Sequence, residues 1–203
     1  DRIEAMAASV LRDAPARFAL AGHSMGARGA LEVVRQAPHR VERLALLDTG
    51  IHTVRDGERA QRMQLLELAR RDGMQALAAQ WLPPMLHPAH AQAGPILSAL
   101  TAMVMRMDAD IFAAQIEALL HRPDPQAVLA ALDVPVLVGV GSDDRWSPPA
   151  QHRQIVDQLG AASTARLEIF AGAGHMAPCE APGAVNRALR DWLEAPQARD
   201  AHH

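Results

Sequence analysis

Residues 22–26 form a five-residue motif, Gly-His-Ser-Met-Gly, that permits few local structures. An apolar run, 18–21, comes directly before it, and a run with helical spacing, 27–36, comes directly after it. A strand that reverses into a helix within one tight turn needs small residues beside the turn, so that strand and helix can approach closely. The two glycines of the motif meet this need. The motif therefore predicts a strand–turn–helix unit that holds Ser24 in a strained conformation, with its hydroxyl raised above a sheet.

Strand and helix patterns alternate on both sides of this unit. An amphipathic helix is predicted before it, at residues 2–13. The strand of the unit is predicted at 17–21, and the further strands and helices are predicted at 41–48 (strand), 134–140 (strand), 150–159 (helix), 166–170 (strand) and 183–193 (helix). Continuous apolar strands are typical of a parallel sheet that is covered on both faces. The alternation therefore predicts an α/β fold with right-handed crossovers.

The middle of the chain has a different pattern. Residues 53–125 contain no convincing strand, and helical spacing predicts helices at 59–71, 74–81, 95–107 and 111–121. A block of helices inside an alternating chain is most simply an insertion. We therefore predict an α/β core made of residues 1–52 and 126–203, with a helical cap or lid at 53–125 that covers the sheet.

Charge and cysteine content exclude several classes of protein. The 203 residues carry a net charge of −3, so the chain has no basic surface of the kind that nucleic-acid binding requires. Its single cysteine, Cys179, excludes an internal disulfide and indicates a reducing compartment. The chain shows no apolar run that would span a membrane, no signal peptide and no histidine–cysteine cluster for a metal. We expect a cytoplasmic protein without cofactor, metal, nucleic-acid or membrane partners.

Three of the predicted strands are followed by residues of complementary chemistry. These residues are Ser24, the adjacent Asp143 and Asp144, and His175. The carboxyl ends of parallel strands open on one edge of a sheet, so we expect these side chains to converge there. A histidine can take the proton of a serine hydroxyl, and a carboxylate can hold the imidazole in the useful tautomer. The set predicts a nucleophilic serine with its own base and acid.

The motifs that contain these residues resemble those of the α/β-hydrolase superfamily, in the branch of small capped esterase-like and lactonase-like hydrolases. The motif at 22–26 resembles the nucleophile elbow, the stretch 141–148 resembles the acid loop, and the stretch 174–182 resembles the histidine loop. The resemblance extends over residues 5–193. It implies an α/β-hydrolase-type parallel sheet with an inserted helical cap. It also implies a serine hydrolase that cleaves small ester, lactone or related acyl substrates through an acyl-enzyme.

The resemblance also assigns roles to individual residues. Ser24 would be the nucleophile, and His175 would act first as base and then as acid. The spacing of the acid loop favours Asp144 over Asp143 as the residue that orients the histidine. The other aspartate would then be a turn residue that accepts a backbone N–H. The backbone N–H of Met25, at the start of the helix, would hold the oxyanion.

Further residues are candidates for contact with substrate. His23, Trp146 and Met176 lie beside the assigned residues and are predicted to line the pocket. His23 has a structural role as its alternative, and Trp146 could instead seal its own loop. The histidines within or beside the predicted cap could also touch substrate, and these are His52, His87 and His90. The histidines in polar or turn contexts are expected to be solvated, and these are His39, His121, His152, His202 and His203.

The chain departs from the pattern of these hydrolases before the elbow. They place several strands there, with a His-Gly-type loop that supplies a second oxyanion N–H. Neither feature precedes Ser24, which indicates either a truncated form or a short natural variant. From this we expect a homodimer through the exposed edge of the strand at 17–21, and weak activity. The alternatives are an impaired or non-catalytic ligand-binding or interaction protein, and another chemistry on the same residues, such as perhydrolysis or carbon–carbon bond hydrolysis.

Overall fold

A computed structural model of the protein describes residues 1–195. Within them, a single sheet contains four strands, and its order across the sheet follows the chain. The strands are β1 (Phe18–His23), β2 (Val41–Leu47), β3 (Val136–Gly141) and β4 (Ala165–Phe170). Every neighbouring pair is parallel. The predicted α/β fold with a parallel sheet is confirmed.

The helices of the described residues connect these strands. They are α1 (Ile3–Asp13), α2 (Met25–Gln36), α3 (Glu58–Trp81), α4 (Pro95–Val104), α5 (Ala109–Leu120), α6 (Gln126–Ala131), α7 (Pro149–Gln158), α8 (Ala177–Glu180) and α9 (Pro182–Glu194). Short 3₁₀ turns lie at Pro38–Arg40 and Pro83–Met85. Among these helices, none is long and apolar enough to cross a membrane.

The continuous apolar run of β2 is explained by two apolar layers, one on each face of the sheet. Leu44 and Leu46 pack into a cluster with residues of α1, α2, α6 and α7. Ala45 and Leu47 point to the opposite face, because successive strand residues alternate, and they pack into a cluster with α9. Both faces of the central strands are therefore buried, as a parallel sheet requires.

The strand before the elbow lies at one edge of the sheet. Within residues 1–195, β1 pairs with β2 alone, with Ala21 opposite Ala45. It extends to His23, two residues beyond the predicted end, because His23 still pairs with Leu47. The homodimer expected at this edge stays a prediction.

Residues 53–125 form helices with an apolar cluster of their own. The cluster draws on all three longer helices of this block, with Leu77 from α3, Val104 from α4 and Phe112 from α5 each buried. Gly73 interrupts α3 with φ 85° and ψ 172°, at the place where the sequence pattern predicts a break between two helices. These helices pack on one another more than on the sheet. Their role as a lid stays a prediction.

The pattern missed two short elements. Helix α6 follows the helical block directly, and its buried Leu129 joins the cluster on the α2 face of the sheet. Helix α8 lies within the predicted histidine loop. Elements of six and four residues are too short for a hydrophobic period to stand out.

Candidate active site

Ser24 occupies a strained turn between β1 and α2. Its φ of 52° and ψ of −118° lie outside the regions that serine normally occupies. Its N–H donates to the carbonyl of Leu47 at 2.9 Å, which ties the turn to the neighbouring strand. A Cβ at Gly22 would lie 2.5 Å from the carbonyl oxygen of Gly26, whereas a Cβ at Gly26 would meet nothing within 4 Å. Close approach of strand and helix therefore requires the first glycine of the motif and not the second.

A continuous chain of hydrogen bonds joins the serine, histidine and aspartate loops. Ser24 Oγ lies 2.8 Å from His175 Nε2, and His175 Nδ1 lies 2.9 Å from Asp144 Oδ2. The other oxygen of Asp144 accepts the backbone N–H groups of Trp146 and Ser147, at 2.8 and 2.9 Å. Asp144 and His175 are 2% and 4% exposed. The aspartate is thus fixed by its own loop and holds the imidazole toward Ser24.

The neighbouring aspartate has a different position. Asp143 is exposed, and its Oδ2 accepts the hydroxyl of Ser142 at 2.6 Å. The nearest histidine nitrogen to this carboxylate is Nε2 of His87, at 3.8 Å. Of the two candidate acids, Asp144 is therefore the one in contact with His175.

The histidine loop is pressed against the connection between α3 and α4. The N–H of His175 donates to the carbonyl of Met85 at 2.7 Å. A Cβ at Gly174 would lie 2.5 Å from the same carbonyl oxygen and 2.6 Å from the nitrogen of His87. The glycine before the histidine is therefore needed because two backbone segments meet there.

Glu180 joins the same two segments through its buried carboxylate. One oxygen accepts the N–H of Gly174 at 2.9 Å, and the other accepts the N–H of His87 at 2.7 Å and contacts His90 Nδ1 at 2.9 Å. His87 and His90 are thus bound to Glu180, and neither lies on the wall of the cavity described next.

A cavity of about 580 Å³ opens at Ser24 between the sheet and the helical block. The three predicted pocket residues, His23, Trp146 and Met176, all line it, as does His52. The indole of Trp146 stacks on the His175 ring, with centroids 5.9 Å apart and planes inclined by 30°. The helical block contributes mainly apolar side chains to the wall, among them Leu65, Trp81, Met103, Met107 and Phe112. This volume suits a small-molecule ligand.

The sequence of the whole chain was compared with models of known protein families. The sequence model of the family described as serine aminopeptidase, S33 matches residues 1–182. The chain belongs to this family. The resemblance to α/β hydrolases is therefore confirmed, and the protein is an α/β-hydrolase enzyme. No curated protein sequence is significantly similar to it.

Solved structures of hydrolases are similar to this S33 hydrolase over nearly its whole length. A thermophilic esterase from Thermogutta terrifontis, solved with malate bound, is 27% identical with a TM-score of 0.84, over 95% of this chain and 72% of the esterase. An enol-lactonase from Burkholderia xenovorans is 26% identical with a TM-score of 0.83, over 96% of this chain and 74% of the lactonase. An esterase from Exiguobacterium antarcticum, 18% identical with a TM-score of 0.80 over 96% of this chain and 74% of its own, shares the fold. Family and neighbours together support a hydrolytic function.

His23 of the S33 hydrolase is both a wall residue and a structural one. Its Nε2–H donates to the carbonyl of His175 at 2.7 Å. Burial, followed by the nearby charge of His175, lowers the pKa of His23 from 6.5 to about 4. Its ring is therefore neutral at neutral pH, and it supports the histidine loop without adding charge.

Asp48 is a buried polar residue that the sequence pattern placed only at the end of a strand. It is fully buried, its φ is 46°, and its Oδ1 accepts the N–H of Gly141 at 2.9 Å. Burial raises the pKa of Asp48 from 3.8 to about 9. Its Oδ2 lies 3.6 Å from His23 Nε2. We interpret the two as neutral neighbours rather than an ion pair, because burial disfavours the charged form of each.

The expectation that His152 is solvated is wrong. Its side chain is fully buried, its Nε2 accepts the N–H of Thr49 at 2.9 Å, and its Nδ1–H donates to the carbonyl of Pro148 at 3.2 Å. Thr49 in turn donates its hydroxyl to the carbonyl of Ser24 at 3.1 Å. The spacing to Ile155, three residues later and also buried, was the available signal that His152 faces the core.

The other histidines expected to be solvated fall into two groups. His39 and His121 are exposed, as predicted. His202 and His203 lie outside the described residues.

The free Cys179 is exposed as a residue, but its thiol is partly covered by neighbouring atoms. This partial burial, followed by the charge of Glu180, raises the pKa of the thiol. A raised pKa disfavours the reactive thiolate.

Proposed function

We propose that the protein is a serine hydrolase that cleaves small esters, lactones or related acyl compounds through an acyl-enzyme. The observation that carries this proposal is the unbroken hydrogen-bond chain from Ser24 Oγ through His175 to Asp144, which begins at the wall of the cavity. The similarity to an esterase and to an enol-lactonase supports ester and lactone substrates.

In the proposed reaction, Ser24 Oγ attacks the carbonyl carbon of the substrate while His175 Nε2 takes the hydroxyl proton. The imidazolium that forms is stabilised by the Asp144 carboxylate. When the tetrahedral intermediate collapses, the alcohol leaves and takes this proton from His175. A water molecule then gives a proton to His175 and attacks the acyl carbon, and the acid and free Ser24 are regenerated.

The oxyanion of each tetrahedral intermediate needs a hydrogen-bond donor near Ser24. Met25 is the first residue of α2, and the first N–H groups of a helix have no partner within it. The positive end of the helix dipole adds to the attraction for a developing negative charge. We therefore assign the Met25 N–H as an oxyanion donor.

We assign residues 53–125 the role of a lid that selects the substrate. Side chains from α3, α4 and α5 form much of the cavity wall, whereas the proposed reacting groups come from the loops of the sheet. Such a division lets a lid exclude water and shape the pocket while the core carries the chemistry.

Charge favours an ester over a peptide substrate. An aminopeptidase must bind a positively charged amino terminus, and a carboxylate is the strongest side-chain partner for such a group. Among the described residues, Glu58 is the one acidic side chain on the cavity wall, and it is already bound by Arg62 and Arg122. Among the described residues of the wall, no carboxylate is therefore left free to pair with an ammonium group.

Labelling with a fluorophosphonate, followed by mass spectrometry, tests the nucleophile. We expect the wild type to be labelled at Ser24 and to hydrolyse p-nitrophenyl esters. Ser24→Ala should lose both properties, and Ser98→Ala, which removes an exposed hydroxyl on α4, should keep both. Turnover that persists in Ser24→Ala would contradict the proposal. A wild type that binds esters without labelling or turnover would instead favour the non-catalytic alternative.

A further inference from the structure

Four arginine side chains line the cavity. They are Arg28 from α2, Arg62 from α3, and Arg106 and Arg122 from the segments that follow α4 and α5, and Glu58 is the single carboxylate of the lining among the described residues. The whole protein has a net charge of −3, so this lining has the opposite sign to the chain as a whole. A concave site lined by one sign of charge attracts ligands of the other sign.

Two of these arginines, Arg62 and Arg122, already bind the carboxylate of Glu58. Arg122 donates to both oxygens of Glu58, at 2.6 and 2.7 Å, and Arg62 Nε donates to the same carboxylate at 2.9 Å. Arg122 donates further to three backbone carbonyls, those of His52, Thr53 and Leu119. Glu58 and Arg122 therefore form a closed unit that holds the wall together.

Among the arginines that line the cavity in the described residues, Arg28 is the buried one that does not bind Glu58. It is 9% exposed and donates to the carbonyl of His52 at 3.0 Å, and it forms no ion pair with any residue in 1–195. Burial, followed by the charge of Arg122, lowers the pKa of its guanidinium from 12.5 to about 9, so it remains protonated at neutral pH. A buried cation without an anionic partner is unfavourable, and an anion bound there would relieve that cost.

The position of Arg28 relates it directly to the proposed nucleophile. Ser24 is the N-cap residue of α2, and Arg28 lies four residues further along. Arg28 therefore lies about one helical turn, roughly 6 Å along the helix axis, from the residue that begins the helix. Both residues line the same cavity. A ligand that places a carbonyl at Ser24 therefore has Arg28 within reach of its other end.

We propose that the substrate carries a carboxylate on its acyl part, and that Arg28 binds this carboxylate while Ser24 attacks the ester at the other end. This inference rests on the proposed hydrolase function and adds the chemical class of its substrate. The planar guanidinium keeps donors that His52 does not use, and such donors can bind a carboxylate in a bidentate manner. The other arginines of the wall raise the local potential for the same anion.

A matched pair of esters tests the proposal. Monoethyl adipate has a carboxylate at the end of its acyl chain, and ethyl hexanoate has a chain of the same carbon number without the charge. The measured quantity is the ratio of kcat/KM for the two esters, followed in a pH-stat. Arg28→Met, which keeps length and removes charge, should lower this ratio by about 10–100-fold, the size of a charged hydrogen bond.

Two further variants serve as controls. Arg59→Met removes an arginine from α3 whose side chain is 58% exposed and outside the cavity wall, and it should leave the ratio at the wild-type value. Arg28→Lys keeps the charge without the fork, and its ratio should lie between those of the wild type and Arg28→Met. If Arg28→Met is not folded by circular dichroism, inhibition decides: adipate should inhibit hydrolysis of ethyl hexanoate competitively in the wild type, and more weakly in Arg28→Lys.

The outcomes separate this inference from the proposed function. If the wild type hydrolyses ethyl hexanoate through Ser24 but the ratio does not depend on Arg28, the carboxylate proposal is wrong and the hydrolase proposal stands. An equal loss in Arg59→Met, or no inhibition by adipate, would likewise overturn it. If neither ester is hydrolysed, the proposed function fails, and this inference fails with it.

Discussion

Two regions of the protein bury titratable groups in opposite ways. Beneath the loops of the sheet, Asp48 and His152 are fully buried and His23 is half-buried. Loss of solvent raises the pKa of Asp48 and lowers the pKa of each histidine, which favours the neutral form of all three. At the wall below the helical block, Glu58 and Arg122 are mostly buried but paired as charges. Burial alone would raise the pKa of Glu58, yet the hydrogen bond from Arg122 and its neighbours lowers it to about 2.

The contrast explains how one cavity can both hold the reacting groups and bind a charged part of a ligand. Neutral buried groups position the loops of the sheet by hydrogen bonds and leave the field around Ser24 to Asp144 and His175. Glu58 and Arg122 stay charged because each is the partner of the other. Arg28, which does not take part in this ion pair, can therefore bind an anionic ligand. We therefore expect substitutions on the sheet side to change the rate of the chemistry or the pH dependence of stability. Substitutions on the other side should change stability and the choice of substrate.

The largest effect is expected on the sheet side, at the acid. Asp144→Asn keeps the shape of the side chain but favours the wrong tautomer of His175, so kcat should fall by about 10⁴-fold. Asp143→Asn, at an exposed position out of contact with His175, is the matched control and should stay within a few-fold of the wild type. Kinetics on p-nitrophenyl esters measure both. A larger loss in Asp143→Asn would show that the acid is misassigned.

The paired charges predict a loss of stability instead. Glu58→Gln leaves Arg122, 2% exposed at its side chain, without its carboxylate. We expect the free energy of unfolding to fall by about 3–5 kcal/mol, as when one partner of a buried ion pair is removed. Urea denaturation near neutral pH measures it. Glu67→Gln, at an exposed position on the same helix, should change stability by less than about 0.5 kcal/mol. Equal stabilities of the two variants would mean that the wall does not depend on Glu58.

The neutral groups predict a smaller effect, which depends on pH. The pKa of His152 is lowered by burial from 6.5 to about 4 in the folded state, so the unfolded chain binds its proton first as pH falls. This contribution to stability is therefore present above about pH 6.5 and is lost between there and about pH 4, up to about 3 kcal/mol in total.

The measurement is the free energy of unfolding in urea at about pH 7 and about pH 5. His152→Gln should lose less stability between these two conditions than the wild type, because the variant lacks the buried imidazole of His152. Some loss should remain, because the pKa values of His23 and His52 are also lowered to about 4. His39→Gln, at an exposed position, should lose as much as the wild type. If His152→Gln loses as much as the wild type, the account of His152 as a buried neutral group is incorrect.

Much of the fold could be predicted because its signals are local. The turn at Ser24 needs a small residue before it, the apolar run of β2 indicates a strand covered on both faces, and Gly73 marks the break in α3. Each of these features depends on residues that are close in the chain. Boundaries shifted where pairing with a neighbouring strand, as for His23 and Leu47, extended an element.

The polar residues around the cavity were harder to predict because they act through distant partners. His152 looked solvated from its neighbours in sequence, but α7 turns it toward Thr49. Arg28 and Arg122 belong to no recognisable sequence motif. They line the same cavity only because the fold brings α2 close to the segment that follows α5. A charged residue in an amphipathic helix is normally solvated, so composition alone gives no reason to single these arginines out.

The alternation of strands and helices, the turn at Ser24, and the convergence of the serine, aspartate and histidine loops at one edge of the sheet can be read from the chain alone. They follow from the periodicity of the side chains and from the parallel strands that this periodicity predicts. In contrast, the contact of Asp144 rather than Asp143 with His175, and the burial of Arg28 without a carboxylate among residues 1–195, emerge only in the folded protein. A hydrogen bond or an ion pair depends on distances of a few ångströms between residues far apart in sequence, and packing sets those distances.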